Sequence, residues 1–435
     1  MIGEVDNLTV ATGLDFELVR IDRHFRSIRA GPLNARRRPK PIYNTPMLDY
    51  RTAGESHGQA LIALVEGIPA GVPIALDVIN GELTRRQGGY GRGGRMKIER
   101  DQVNILSGVR RGVTIGSPVA MQIANKDFRL DEAPPLHRPR PGHADLAGSL
   151  KWLTNDCRET LERASARETA ARVAAGALAR CLLREFGIDL IGYVVRIGEV
   201  VAAVPFDFPI PELRSARDAN EAYCPDQSAA SAMIEVIRRA KIEKDTVGGV
   251  VEVQVHGVPP GVGSCMRWQD KLDGRLMQAV GSVQAIKGVE IGLGFAAAER
   301  PGSKVHDEID FDPKLRPTSS LGFTRRSNNA GGLEGGMTNG QPIVVRAAMK
   351  PISTLLRGMD SVNLLTRQSE RSDYERSDVC SVPAASVVVE NVVAFEIARS
   401  FLDKFAGDTL KETRAAYDYY LQSARSLGGM GSTIE

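Results

Sequence analysis

The stretch Thr52-Ala53-Gly54-Glu55-Ser56-His57-Gly58 sets the tightest limit on how this chain can fold, because it confines a hydroxyl, an imidazole and a carboxylate between two glycines. Glycine turns the backbone where other residues cannot, so groups able to move protons are presented on a sharp bend. The same residues fit G-x-S-x-G, the nucleophile elbow of serine hydrolases, which needs a buried strand before the serine and a helix after it. Here Pro46 to Arg51 is short and polar, and Ala60 to Val65 is an apolar, strand-like run. That context argues against Ser56 as an attacking nucleophile.

Comparable clusters recur along the chain. Arg85 to Arg95 contains Gly-Gly-Tyr-Gly-Arg-Gly-Gly-Arg, which has the look of an RNA-binding RGG stretch with an aromatic for stacking. The run is single, brief and enclosed by strand-like sequence, so a folded loop presenting Arg86 and Arg92 to a small anion is the preferred reading. A solvated hairpin stays open beside it. Arg140-Pro141-Gly142-His143-Ala144-Asp145 ends a proline-rich loop over 131–142. Ser165-Ala166-Arg167-Glu168 reads as a capping box opening a helix that runs to Gly187. Its N-terminus beside Arg163 and Arg167 would attract an anion, the alternative being a surface helix start with solvated arginines. Of 6 histidines, none has H-E-x-x-H or other ligand spacing, so no metal is expected. His57 and His143 each stand beside glycine, where imidazole can exchange protons near neutral pH, though either alone is more often a structural histidine. Convergence of these clusters on one polyanionic ligand explains them jointly.

Charge and composition narrow the class. The 56 Lys and Arg leave a net charge of only +3, with arginines concentrated over 85–111, 138–180 and 325–376. Local basic patches facing an anion fit this better than nucleic-acid binding. The 5 cysteines are scattered without a C-x-x-C pair, so neither a disulfide framework nor a zinc site is expected, and a reducing cytoplasm is the anticipated setting. Apolar runs fall short of the ~18 to 20 residues of a membrane span.

Residues 1–46 carry Arg20, Arg23, Arg26, Arg29 and Arg36 to Arg38, but also Glu4, Asp6, Asp15, Glu17 and Asp22, unlike a transit peptide. They read as a mobile extension ahead of a start at Met47, with 47–435 as one domain. Patterning predicts strands over 60–65, 72–78, 188–196, 249–256, 288–295 and 343–349, and paired strands over 103–109 and 118–124. Helices are predicted over 80–86, after Trp152, and over 227–240, 270–282, 382–398 and 409–426. The polar, Gly-rich segment 297–333, with Arg325-Arg326, reads as a mobile loop over a site.

Taken with Gly336-Met337-Thr338-Asn339-Gly340-Gln341-Pro342 and Glu375-Arg376-Ser377-Asp378, these motifs resemble those of the chorismate synthases, in the family's order from about Met47 onward. The resemblance implies an α/β fold, a β-α-β sandwich in which antiparallel sheets enclose helices, assembled as a homotetramer. It implies a trans-1,4 elimination of phosphate from 5-enolpyruvylshikimate 3-phosphate, dependent on reduced FMN with NADPH as ultimate reductant. His57 is similar to the acid that protonates departing phosphate, and His143 to the histidine that protonates reduced flavin. Asp378 with Ser56 resembles the pair governing the proton on flavin N5. Arg86, Arg92, Arg140 and Arg167 would grip the substrate's anions, with Arg86 and Arg92 also matching NADPH positions. Arg163, Ala164, Ser165, Gln284, Ala285, Gly335, Lys350, Pro351, Ile352, Ser353, Thr354 and Arg376 match flavin-binding positions. Ala164 and Ile352 each stand where the family commonly has a hydroxyl. No strand-then-G-x-G-x-x-G unit is present, so a separate flavin reductase is expected.

Overall fold

Alternation of apolar and polar residues builds two antiparallel sheets in the computed structural model, which describes residues 48–94, 99–205, 208–373, 375 and 377–427. The first sheet takes β1 (Asp49–Ala53), β2 (Ala60–Glu66), β3 (Val103–Ile105) and β4 (Val119–Ala124), in the order β1-β2-β4-β3. Leu61, Ala63 and Val65 of β2 are buried with Val119, Met121 and Ile123 of β4, one apolar face turned inward. The second sheet takes β5 (Asp189–Ile197), β6 (Val200–Val201), β7 (Gly249–His256), β8 (Ile286–Ile291) and β9 (Ile343–Met349), in the order β8-β9-β7-β5-β6. Val251, Val253 and Val255 of β7 point to the core. The inward apolar face of each sheet must be covered, and on the opposite face of β5 Ile191 and Tyr193 are buried in a smaller cluster with Leu213.

The helices are α1 (Leu76–Gln87), α2 (Asp145–Trp152), α3 (Arg158–Ala164), α4 (Thr169–Arg184), α5 (Ile210–Asp218), α6 (Gln227–Ile242), α7 (Leu272–Gly281), α8 (Val382–Lys404) and α9 (Leu410–Ser426). α4 packs on the first sheet and α8 on the second, and α4 and α8 pack on each other. Two sheets thus enclose helices, an α/β sandwich. α8 is apolar on nearly every side, as a helix at the centre of a core must be, and its residues from Val382 to Ala398 are all buried. Closeness requires glycine at one crossing: a Cβ on Gly176 of α4 would lie 2.1 Å from the Asn391 carbonyl oxygen of α8. Phe186, Phe401, Phe405 and Tyr417 then pack edge to face and tilted, fastening α9 to the end of α8.

The enclosed layer is not wholly apolar. Glu390 of α8 is fully buried and accepts from Arg85 of α1 at 2.8 Å and Arg180 of α4 at 2.8 Å. Burial alone would raise its carboxyl, but Arg85, Arg180 and Arg217 bring it down to about 2. Three helices, α1, α4 and α5, each bring an arginine to this one anion on a fourth.

Several expectations need correction. Residues 72–78 are not a strand: α1 begins at Leu76, and only Pro73 makes an isolated bridge, with Val113. Pro73 has no donor for a ladder, while Asp77 favours the first helical turn. The chain is helical after Trp152, in α3 and α4, as expected, but one further helix, α2, already runs from Asp145 to Trp152. A half-buried strand, β1, does precede the Ser56 turn, although β2 and not a helix follows it. The expected 1–46 extension lies outside the described residues, all of which fall in the compact unit Thr45–Glu435.

Candidate active site

The Gly54 to Gly58 turn is held from two sides. Gly54 has φ +100°, and a Cβ there would come 2.2 Å from the Ala60 carbonyl, so no other residue fits. The Asn125 amide nitrogen lies within reach of the carbonyls of Glu55, Ser56 and Gly58, at 3.2, 3.3 and 2.7 Å. From the other side, the Glu162 carbonyl accepts from the Ser56 N–H at 3.0 Å, and its carboxylate accepts from the His57 N–H at 2.8 Å. The His57 ring Nδ1 lies 3.0 Å from the same carboxylate. A bend that glycine permits is thereby made rigid.

Beside it opens a cavity of about 590 Å³. The C-terminal end of α1 supplies Arg86, the α3–α4 junction Arg167, the loop before α2 Arg140, the Gly-rich loop Arg92, and the end of β9 Lys350. Each guanidinium is aimed by a carboxylate. Arg167 donates to Asp101 at 2.6 Å, with Arg86 3.4 Å from the same oxygen; Arg140 donates to Asp145 at 2.8 Å and Arg92 to Asp378 at 2.5 Å. Asp378 also accepts from the Gly93 N–H at 2.6 Å and Ser381 Oγ at 2.5 Å. Burial, with the like charges of Arg167 and Arg92, outweighs Asp101 and lowers the Arg86 guanidinium to about 9, still protonated at neutral pH. Three carboxylates, Asp101, Asp145 and Asp378, thus face five cations, Arg86, Arg92, Arg140, Arg167 and Lys350.

The remaining walls differ in character. Val283, Ala285, Met349, Pro351, Ile352 and Val388 contribute apolar surface to the lining. On the cavity lining, Arg167 Nη2, a donor, and Gln284 Oε1, an acceptor, are buried with no hydrogen-bond partner among the described residues. Gln284 gives its amide N–H to Glu168, which can only accept, so the carbonyl end must face elsewhere. His143 lines the cavity with Nδ1 bonded to Asp145 and 2.9 Å from Arg140 Nη2. Burial would raise the Asp145 carboxyl, but bonds from His143 and Arg140 hold it well below the usual carboxylate range.

Most of the residues singled out by sequence meet at this cavity: Arg86, Arg92, Arg140, Arg167, His143 and Asp378, together with Ala164, Ser165, Gln284, Ala285 and Lys350 to Thr354. Ser56 and His57 lie behind its wall, where Ser165 Oγ is 3.3 Å from Ser56 Oγ. No hydrogen bond joins Ser56 to Asp378. Arg163 points away, donating to the carbonyls of Thr52 and Gly54 at 2.9 and 3.1 Å. Gly335, at φ +62°, makes a hairpin turn outside the lining. Arg376 lies outside the described residues.

Two local readings change. Ser165 caps a short 3₁₀ turn by accepting from the Arg167 N–H at 3.3 Å, but Glu168 does not reach back to complete a box. Its carboxylate takes hydrogen bonds from Thr52, Arg172 and Gln284, which overcome burial and lower its pKa. Residues 297–333 contribute nothing to the lining: Arg325 pairs with Glu334, and Arg326 with Asp310 at 2.7 Å. Asp101, Asn125 and Glu162 carried no mark in the sequence, and Glu168 was read only as a capping acid. Asp145 was quoted in its motif, without a role. Among the described residues there is no cluster of three or more His, Cys, Asp or Glu able to hold a metal, and no helix is long and apolar enough to cross a membrane.

This geometry can be set against known proteins. A model of the chorismate synthase family matches residues 48–402. The chain is 51% identical over 394 residues to chorismate synthase of Desulforamulus reducens, covering 88% of this chain and 100% of that protein. It is 53% identical over 394 residues to chorismate synthase of Geobacter metallireducens, again covering 88% and 100%. A crystal structure of chorismate synthase is 41% identical, with a TM-score of 0.71 over 87% of this chain and 99% of that one. The chain belongs to the chorismate synthase family, and the enzyme is a lyase.

Proposed function

We propose that the cavity eliminates phosphate from 5-enolpyruvylshikimate 3-phosphate to give chorismate, with reduced FMN bound alongside the substrate. The observation that carries this is the pairing of one strongly cationic wall, Arg86, Arg92, Arg140, Arg167 and Lys350, with apolar surface inside about 590 Å³. A substrate with two carboxylates and a phosphate calls for guanidinium forks, and the buried Arg167 Nη2 donor is suited to an anionic oxygen. The orphaned Gln284 acceptor and the apolar surface fit a flat ring that carries an N–H. When bound, reduced flavin supplies electron density as the C–O bond to phosphate breaks.

The chain's own residues bind, aim and move protons. Arg86, Arg92, Arg140 and Arg167 hold the substrate's anions, and Ala164, Ser165, Gln284, Ala285 and Lys350 to Thr354 hold the cofactor. His57 stands behind the cavity wall, next to Ser56, whose hydroxyl meets that of Ser165 on the wall; its assignment as the acid that gives a proton to the departing phosphate rests on its match to the family's motif. His143, whose Nδ1 is taken by Asp145, lines the cavity and would exchange its proton at Nε2 with reduced flavin bound there. Asp378 fixes Arg92 and steadies the Gly93 backbone. The working form is a homotetramer in the cytoplasm served by a separate NADPH-dependent flavin reductase.

Titration of the purified protein tests the reading: tight FMN binding should appear only with the phosphorylated substrate present, and phosphate release only under reducing conditions. His57→Ala and His143→Ala should each lower turnover by ~10² to 10⁴ with folding intact, as loss of a general acid does. Full turnover by both variants at saturating reduced FMN would remove these two roles.

A further inference from the structure

We propose that Glu162 is a positioning residue that fixes the tautomer and pose of His57, directing proton exchange to the imidazole Nε2. This rests on the proposed acid role of His57. The carboxylate is buried at the end of α3, with a side-chain exposure of 1%, and lies 3.0 and 3.1 Å from His57 Nδ1 through its two oxygens. A carboxylate can only accept, so Nδ1 keeps its proton whether the ring is neutral or charged. The same group accepts the His57 backbone N–H at 2.8 Å, and the Glu162 carbonyl accepts that of Ser56 at 3.0 Å. Ring and backbone are therefore held by one residue, and the ring cannot rotate without breaking a buried bond.

Arg158 sets the charge on this clamp. It lies one turn before Glu162 on the same helix and donates to the carboxylate at 3.3 Å, while its Nε is bound to the Pro134 carbonyl at 2.7 Å and its Nη2 to Glu375 at 3.1 Å. Burial would raise the Glu162 carboxyl, but the bonds from His57 and the charge of Arg158 lower it. The clamp is thus anionic through the neutral range. In the step itself a proton leaves Nε2 for the phosphate oxygen as the C–O bond breaks, and the ring is left neutral with Nδ1–H still bonded to Glu162. His143 and Asp145, with Arg140 donating to the carboxylate, form a second histidine–carboxylate pair at the site.

Long-range ¹H–¹⁵N correlation of histidine-labelled protein reads the tautomer directly, without turnover. Wild type should show neutral His57 as Nδ1–H. Glu162→Gln keeps the shape but can also donate to Nδ1, so the ring should move to a mixture or to Nε2–H. In the same variant kcat should fall ~10²-fold with KM for the phosphorylated substrate within about twofold, since a partner that orients an imidazole acts on the chemical step. Glu162→Asp, still an acceptor, should recover part of kcat and the Nδ1–H pattern. An unchanged ring pattern in Glu162→Gln overturns the proposal whatever its activity. Undiminished turnover by His57→Ala would instead remove the acid role of His57, and is told apart because the ring shift in Glu162→Gln would persist.

Discussion

Asp101 holds Arg167 from the side away from the cavity, its Oδ2 2.6 Å from Nη1, and the same oxygen faces Arg86 at 3.4 Å. One buried carboxylate therefore serves two cavity-lining guanidiniums, and neither is fully neutralised.

Asp101→Asn should cost about 3 kcal/mol in the ligand-free protein, because removing one partner of a buried pair strands the other's charge. Inorganic phosphate or the phosphorylated substrate should return part of this loss. Thermal melts with and without phosphate decide the matter: a larger phosphate-induced rise in the variant than in wild type is expected, and equal rises would contradict it.

Glu390 sets an acid limit on the fold. Its carboxyl lies at about 2, below the ~4.3 of an unfolded glutamate, so its contribution is complete above that unfolded value and is lost as pH falls through about 2. Glu390→Gln should flatten urea stability between about pH 4 and 2 and cost about 3 kcal/mol at neutral pH, where Arg85, Arg180 and Arg217 lose their shared anion. If both proteins show equally steep acid limbs, another carboxylate is responsible.

Gly176→Ala sets helix propensity against packing. Alanine should favour α4 by about 1 kcal/mol, but its Cβ would sit 2.1 Å from a backbone oxygen that cannot rotate away. Forcing the two helices apart costs roughly 1 to 3 kcal/mol, so a net loss of stability is expected on chemical denaturation. A variant more stable than wild type would mean that the crossing can relax.

Ala164→Ser restores a hydroxyl on the cavity wall. One added hydrogen bond, about 1 kcal/mol, should tighten FMN binding roughly fivefold in the presence of substrate, read by flavin fluorescence. Weaker binding would indicate that the wall needs to stay apolar there.

The motifs were legible because glycine, arginine and histidine lie close together in sequence at Gly54 to Gly58, Arg86 to Arg92 and Arg140 to Asp145, and the structure gathers the last two at the cavity wall with the first directly behind. Sheet strands such as 249–256 and 343–349 were legible for the same local reason, a one-sided apolar alternation. Asp101 and Glu162 had no such mark. Their partners, Arg167 and His57, stand 66 and 105 residues away in the chain, and a lone acid says nothing about which distant cation it will meet. The Ser165 and Glu168 pair failed as a capping box because Glu168 finds better partners across the layers, in Thr52 and Gln284. The segment 72–78 failed because alternation over so few residues cannot separate a strand from the lead-in to a helix.

α8 carries Ala384, Ala385 and Val388 on the cavity wall and, one turn further on, the buried Glu390 and Asn391 at the crossing with α4. Scaffold and workshop are therefore the same piece of chain. Substitutions that loosen the helix should cost catalysis and folding together.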